Sequence, residues 1–156
     1  IQLKRMPEWT RVRNRNATIL TKAFSRFAGK NGVLRIPKFK CCSCPSVKGN
    51  CDKKCVHAFY KYYIFINTNT LKNGWNRDRI IAEINAQGVP CFQGSCSEVY
   101  LEKAFDNKDY RPKDRLPVAK KLGETSLMFL VHPTLGEEEM NSIAKITTSI
   151  FTKAAS

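Results

Sequence analysis

The sequence predicts a two-layer α/β protein of the α+β kind, a small sheet covered by helices. Three observations predict it. Two long stretches, 7–27 and 136 onward, carry apolar residues at spacings near three and four. Between them, short runs at 33–39, 57–67, 89–92 and 126–131 are rich in β-branched and aromatic side chains, with Gly, Pro and Asn between them. A chain of 156 residues with 42% hydrophobic and 10% aromatic content suits a single folded domain, residues 1–156.

Pro7 suits the first position of the opening helix and Glu8 its positive end. Trp9, Val12, Leu20, Phe24 and Phe27 form the buried stripe, and Arg11, Arg13, Arg15, Lys22 and Arg26 occupy the remaining surface. Gly29 stops the helix ahead of the Asn31-Gly32 turn. Residues 33–39 alternate apolar and basic side chains, as a half-buried strand does, and residues 40–56 form a loop dense in Cys, Lys and Gly. Residues 57–67 (HAFYKYYIFIN) make the strongest strand signal in the chain. Asn76 caps a helix reaching Gln87, with Ile80, Ile81 and Ile84 inward and Gly88 at its end. A short strand at 89–92, a small-residue loop at 94–97, a helical turn at 98–105 and a polar loop at 107–114 follow. Pro117 opens a helix at 116–123, which leads into a buried strand at 126–131. The last helix opens at Gly136, carries Glu137, Glu138 and Glu139 in its first turn, and packs Met140, Ile143, Ala144, Ile150 and Phe151.

Charge is distributed unevenly. Residues 1–61 hold fifteen basic and two acidic side chains, whereas residues 62–156 hold twelve and eleven. Such a basic half is a solvated face, a footprint for nucleic acid or a membrane surface, or a field that steers a phosphorylated ligand. The longest apolar run is five residues, Leu127 to Val131, against about 20 for a membrane-spanning helix. The opening residues lack the apolar core and small-residue cleavage site of a signal peptide, which gives a cytoplasmic expectation. The chain starts at Ile1 rather than Met, and the simplest expectation is a piece of a longer polypeptide.

Five of seven cysteines fall within fifteen residues, Cys41, Cys42, Cys44, Cys51 and Cys55. Cys41 with Cys44 and Cys51 with Cys55 form two short-spaced pairs, the ligand count of a tetrahedral structural zinc. The same residues also read as a thiol-rich loop without metal, and an odd total in a chain with no export signal argues against a disulfide framework. His57 and His132 are the only histidines, so general acid–base chemistry has few candidates. His132 precedes Pro133 just after a buried strand, where a side chain can face a cleft. Cys96 lies between Ser95 and Ser97, and would need a neighbouring base to act as a nucleophile. No nucleophile elbow, phosphate loop, zinc-protease or dinucleotide motif is present, and no complete catalytic set is visible.

Four blocks carry a resemblance: QLKRMPEWTRVRNRNA (2–17), HAFYKYYIFIN (57–67), GVPCFQGSCSEVYLEKAF (88–105) and RLPVAKKLGETSLMFLVHPTLGEEEMN (115–141). In this order they resemble the C-terminal part of the DegT/DnrJ/StrS family of pyridoxal-phosphate-dependent sugar aminotransferases, over nearly the whole chain apart from the Cys-rich loop. The resemblance implies a small, mostly antiparallel sheet with helices packed on one face. It implies an enzyme that moves an amino group, usually from glutamate, to a keto group on a nucleotide-linked sugar in modified-sugar or surface-polysaccharide synthesis. It also implies that the Schiff-base lysine, the acidic partner of the pyridine nitrogen and the phosphate donors lie in a large domain preceding this chain, leaving no catalytic residue here.

By the same resemblance, loop 94–97 approaches cofactor and substrate. Relatives carry a His-Tyr-Pro where this chain has Gly94-Ser95-Cys96, so no imidazole role carries over. Ser95, Cys96, Ser97, Tyr100 and His132 are the substrate-facing candidates, with His132-Pro133 also readable as a packing element. Residues 40–56 look like an insertion, on which the resemblance says nothing about zinc. It further implies an obligate homodimer, and basic residues 1–61 suit a nucleotide diphosphate. The alternative is a basic nucleic-acid-binding or interaction module with a zinc knuckle; against it, the aromatics fall at strand-period core positions rather than interleaved with Lys and Arg.

Overall fold

The computed structural model describes residues 2–37, 56–106 and 109–156. Helical periodicity near the N-terminus yields a single long helix, α1 (Gln2–Phe24), closed by a 3₁₀ turn at Ser25–Phe27. It runs through Pro7 instead of starting there. Proline removes one helical hydrogen bond, to the carbonyl of Leu3, and Leu3 is 86% exposed, a place where losing that bond costs little.

The sheet has four strands in the order β1-β2-β4-β3. They are β1 (Leu34–Arg35), β2 (Tyr62–Ile66), β3 (Cys91–Gln93) and β4 (Ser126–Phe129), and all three pairings are antiparallel. Each strand is shorter than its hydrophobic run. Pro37 has no N–H to extend the edge strand β1, and Phe59 takes a positive φ of 40° that keeps residues 57–61 out of β2. Pro90 delays β3 in the same way.

Strand alternation sorts the side chains to two faces. Tyr62, Ile64 and Ile66 of β2, with Leu127 and Phe129 of β4, enter the core. There Phe24 of α1 contacts Tyr62, Phe129 and Phe151 at ring-centroid distances of 6.2, 5.6 and 5.3 Å, distances at which aromatic pairs add to simple area burial. Phe151 belongs to α4 (Glu137–Ala154), whose buried face Met140, Ala144, Thr147, Ile150 and Phe151 packs on α1. The first turn of α4 is capped by Glu139, whose carboxylate accepts from Gly136 N at 2.7 Å. Helix α2 (Arg77–Ala86) closes the core with Ile80 and Ile84, and the expected cap is present: Asn76 Oδ1 accepts from Arg79 N at 2.8 Å.

The second face carries Tyr63, Met128 and Phe92 in one register row across β2, β4 and β3. Helix α3 (Pro117–Thr125) contributes nothing to the core cluster and lies along β2 instead, sharing a cleft with Phe65. Three helices therefore pack on one face as expected, and the fourth stands apart from them. Among the described residues, no helix is long and apolar enough to cross a membrane.

Candidate functional site

The site builds outward from the end of β3. Gly94 follows Gln93 and sits so close to β4 that a Cβ there would fall 2.9 Å from Ser126 Cβ and 3.3 Å from Tyr63 Cε1, and closer still to Ser126 Oγ. Only glycine fits this approach. Gly94 N donates to Ser126 Oγ at 3.1 Å, and the Ser95 hydroxyl shares a 2.7 Å hydrogen bond with Tyr63 Oη. On the far side of the loop, Gly123 of α3 leaves just enough room for Ser97 Oγ. Loop 94–97 is thus held between the sheet and α3. Ser97 Oγ makes no hydrogen bond among the described residues and remains half-exposed.

Two 3₁₀ turns, Val99–Leu101 and Lys103–Phe105, occupy the helical turn expected at 98–105. Glu98 precedes them and is the hub of the local polar network. Its Oε1 accepts from Arg115 Nε at 2.7 Å and Tyr100 Oη at 2.8 Å, and its Oε2 accepts from an Arg115 terminal nitrogen at 2.6 Å. The Arg115 guanidinium, with further help from the Tyr100 hydroxyl, holds the Glu98 carboxyl far below its usual range, down to about 2. Tyr100 Oη in turn accepts from Leu116 N at 2.9 Å, at the start of α3. Arg111 completes the wrap, donating to Tyr100 O at 2.9 Å and to Asp106 Oδ1 at 2.6 Å. Partial burial, then the Glu98 carboxylate, raises the Tyr100 phenol pKa.

The group beside Cys96 is the carboxylate of Glu102, a far weaker base than a thiolate. Its Sγ donates to Glu102 Oε1 at 3.2 Å, and that hydrogen bond pushes the thiol pKa up. A thiol held protonated is a poor nucleophile, so the arrangement argues against covalent chemistry at Cys96. Cys91, buried under the sheet, is pushed to about 12 by burial.

The structure brings Ser95, Cys96, Ser97 and Tyr100 together and sets His132 apart. The four loop residues lie at the Ser126 end of β4, whereas His132 follows its other end. The strand itself spans about 10 Å, and His132 lies three residues beyond its end. The exposed His132 Nδ1 pairs with Thr134 Oγ1 at 2.8 Å, tightening its own turn. The fully buried Asn16 of α1 clasps this turn: Nδ2 donates to His132 O at 3.1 Å and Leu135 O at 3.3 Å, while Oδ1 accepts from Arg15 at 2.9 and 3.1 Å.

Sequence reasoning named neither Glu98, Arg115, Tyr63, Ser126 nor Arg77. Arg77 opens α2 yet is only 8% exposed, donating to Gly123 O at 2.8 Å and Ser126 O at 3.2 Å, so it ties α3 and β4 together beneath the loop. An arginine at a helix start, against the dipole, is the single signal that could have marked it. Glu98 and Arg115 share no periodicity that would pair them.

Cys41, Cys44, Cys51 and Cys55 lie outside the described residues. Among the described residues, no three His, Cys, Asp or Glu side chains converge on a metal position. A cleft of about 740 Å³ runs beside α3, lined by Arg35, Phe65, Asn67, Val118, Lys121 and Leu122 among others. Among the described residues its lining does not fit pyridoxal phosphate: Lys121 offers an amine, but no described lining residue is a carboxylate able to keep a pyridine nitrogen protonated.

Comparison with known proteins places this geometry. An aminotransferase from Psychrobacter cryohalolentis is 48% identical and superposes with a TM-score of 0.83, over 97% of this chain and 36% of its own. A DegT DnrJ EryC1 StrS aminotransferase from Brucella abortus is 21% identical with a TM-score of 0.66, over 94% of this chain and 32% of its own. GDP-4-keto-6-deoxy-D-mannose-3-dehydratase from E. coli, solved with bound hydrated PLP, is 16% identical with a TM-score of 0.67, over 94% and 32%. The chain therefore spans about a third of the length of these structures. No curated protein matches it. The sequence match runs across residues 1–148, from α1 through most of α4, and by it the chain belongs to the DegT/DnrJ/EryC1/StrS aminotransferase family.

Proposed function

We propose that this chain is the small C-terminal part of a pyridoxal-phosphate-dependent aminotransferase acting on a nucleotide-linked keto-sugar, with glutamate as amino donor. Its own work is to wall the sugar pocket and supply contacts in a homodimer. The Schiff-base lysine and the cofactor's other ligands belong to the remaining length of the protein. The observation that carries this reading is loop 94–97. It is pinned on both sides by Gly94 and Gly123 and leaves the Ser97 hydroxyl without a hydrogen-bond partner among the described residues.

Ser97 Oγ is then the hydroxyl this chain offers to a sugar, as donor or acceptor. Ser95 serves the loop, since its hydroxyl is shared with Tyr63. Held to one position by the sheet and α3, the loop presents Ser97 without having to order itself on binding, which conserves affinity. The excess of basic residues in 1–61 adds a positive field that raises the encounter rate of a diphosphate-bearing substrate. His132, tied to Thr134 at the far end of β4, serves packing.

The test is to express the protein in its full length and supply glutamate with a panel of nucleotide-linked keto-sugars. The expected outcome is an amino-sugar nucleotide with equimolar 2-oxoglutarate from the full protein, and neither from this chain alone. Pyridoxal phosphate bound to the isolated chain with transamination activity refutes the reading, as does a full-length protein that binds no cofactor.

A further inference from the structure

Glu98 is a carboxylate with only 14% of its side chain exposed, and both its oxygens are taken by one guanidinium. A bidentate pair of this kind fixes distance and orientation together, which a lysine ammonium does not. The partners come from different segments, so the pair ties the residue immediately after loop 94–97 to Arg115, two residues ahead of α3. The Tyr100 hydroxyl adds a second tie, donating to Glu98 and accepting from the Leu116 amide. That hydroxyl has spent its only proton on the carboxylate. Tyr100, expected from the sequence to face substrate, has its proton committed inside the network.

We propose that Glu98 and Arg115 are positioning residues for the keto-sugar: their bidentate pair, extended through Tyr100 to the start of α3, sets the spacing between loop 94–97 and α3 and so aims the Ser97 hydroxyl. This rests on the reading that the loop faces the sugar. Loop and helix meet at Ser97 and Gly123 with no slack, so a change in that spacing displaces the Ser97 hydroxyl directly. Misplacing a substrate contact by about 1 Å is enough to lose a large factor in rate.

The experiment uses the full-length enzyme and the variants Glu98→Gln, Arg115→Lys and Tyr100→Phe. Steady-state constants are measured separately for the keto-sugar and for glutamate, and the half-reaction with glutamate alone is followed by cofactor absorbance. The expected result is a loss of about tenfold in kcat/KM for the keto-sugar in Glu98→Gln and Arg115→Lys. The glutamate half-reaction stays within about twofold, because the pair does not touch the donor step. Should Glu98→Gln fail to fold, Arg115→Lys, which keeps the charge, delivers the same comparison. Equal losses in both half-reactions, as a general structural role would give, overturn the proposal, and so do unchanged keto-sugar constants. A wild-type enzyme that turns over no keto-sugar overturns the parent reading and this one with it. A wild-type enzyme that does, with unaffected variants, overturns this one alone.

Discussion

Replacing Gly94 by alanine tests the tightest approach in the site. The φ of Gly94 is not left-handed, so the effect is one of space rather than backbone strain. The new methyl meets Ser126 Cβ at 2.9 Å and Tyr63 Cε1 at 3.3 Å, and Ser126 Cβ is part of a buried strand that cannot rotate away. Overpacking of this kind costs about 1–3 kcal/mol. The Gly94 N to Ser126 Oγ hydrogen bond is lost as the loop lifts, at about 1 kcal/mol more. The sum is about 3 kcal/mol, which for a chain of this size lowers Tm by roughly 10 °C. Thermal and urea unfolding read this directly. Ser126→Gly removes the two nearest colliding atoms, Ser126 Oγ and Cβ, so the double variant Gly94→Ala/Ser126→Gly recovers about 1–2 kcal/mol relative to the sum of the single changes. Additivity within about 0.5 kcal/mol refutes the steric argument, because distant or independent sites behave that way.

Asn16→Leu removes the buried amide that donates to the His132 carbonyl and lowers stability by about 2 kcal/mol, measured by urea unfolding, with faster amide exchange across the 132–135 turn. The Glu98 carboxyl lies at about 2 in the folded chain against an ordinary 4.5, with Arg115, Tyr100 and Lys120 around it. Its stabilisation is complete above pH 4.5 and is lost as the pH falls toward 2. Glu98→Gln therefore flattens the unfolding midpoint between those pH values, and an unchanged slope contradicts the pairing. Among the described thiols, Cys91 resists iodoacetamide at pH 8.5 until the chain unfolds, while Cys96 reacts slowly. Glu102→Gln removes the charge that raises the Cys96 thiol and speeds its alkylation, as peptide mass spectrometry would show.

The helices and their order were legible because their signals are local. Asn76 announces α2, the acidic run Glu137 to Glu139 announces α4, and the aromatic spacing of α1 points at the core it fills. Strand limits were less legible, since pairing depends on a partner the sequence does not display. Leu130 and Val131 continue the apolar run but have no ladder beside them, and β4 ends at Phe129. The site was visible as a loop of small residues and invisible as a network. Glu98 meets Arg115 across seventeen positions, and Ser126 looks like an ordinary strand serine until Gly94 is seen against it. His132 shows what register adds: its sequence context gives a place after a buried strand, and the sheet puts that place at the far end of β4 from the loop.

The opening of α1 has a mechanical consequence. Residues 2–8 are all exposed, so nearly two turns of helix stand clear of the core before Trp9 begins to pack. A helix is stiff over that length, and each residue adds about 1.5 Å and about 100° of rotation. Anything joined ahead of Gln2 in helical continuity is consequently keyed in angle to the sheet and its loop, like a handle fixed to a blade. One inserted alanine would swing such an attachment through more than a quarter turn, while four would bring it almost back into phase, about 6 Å further out.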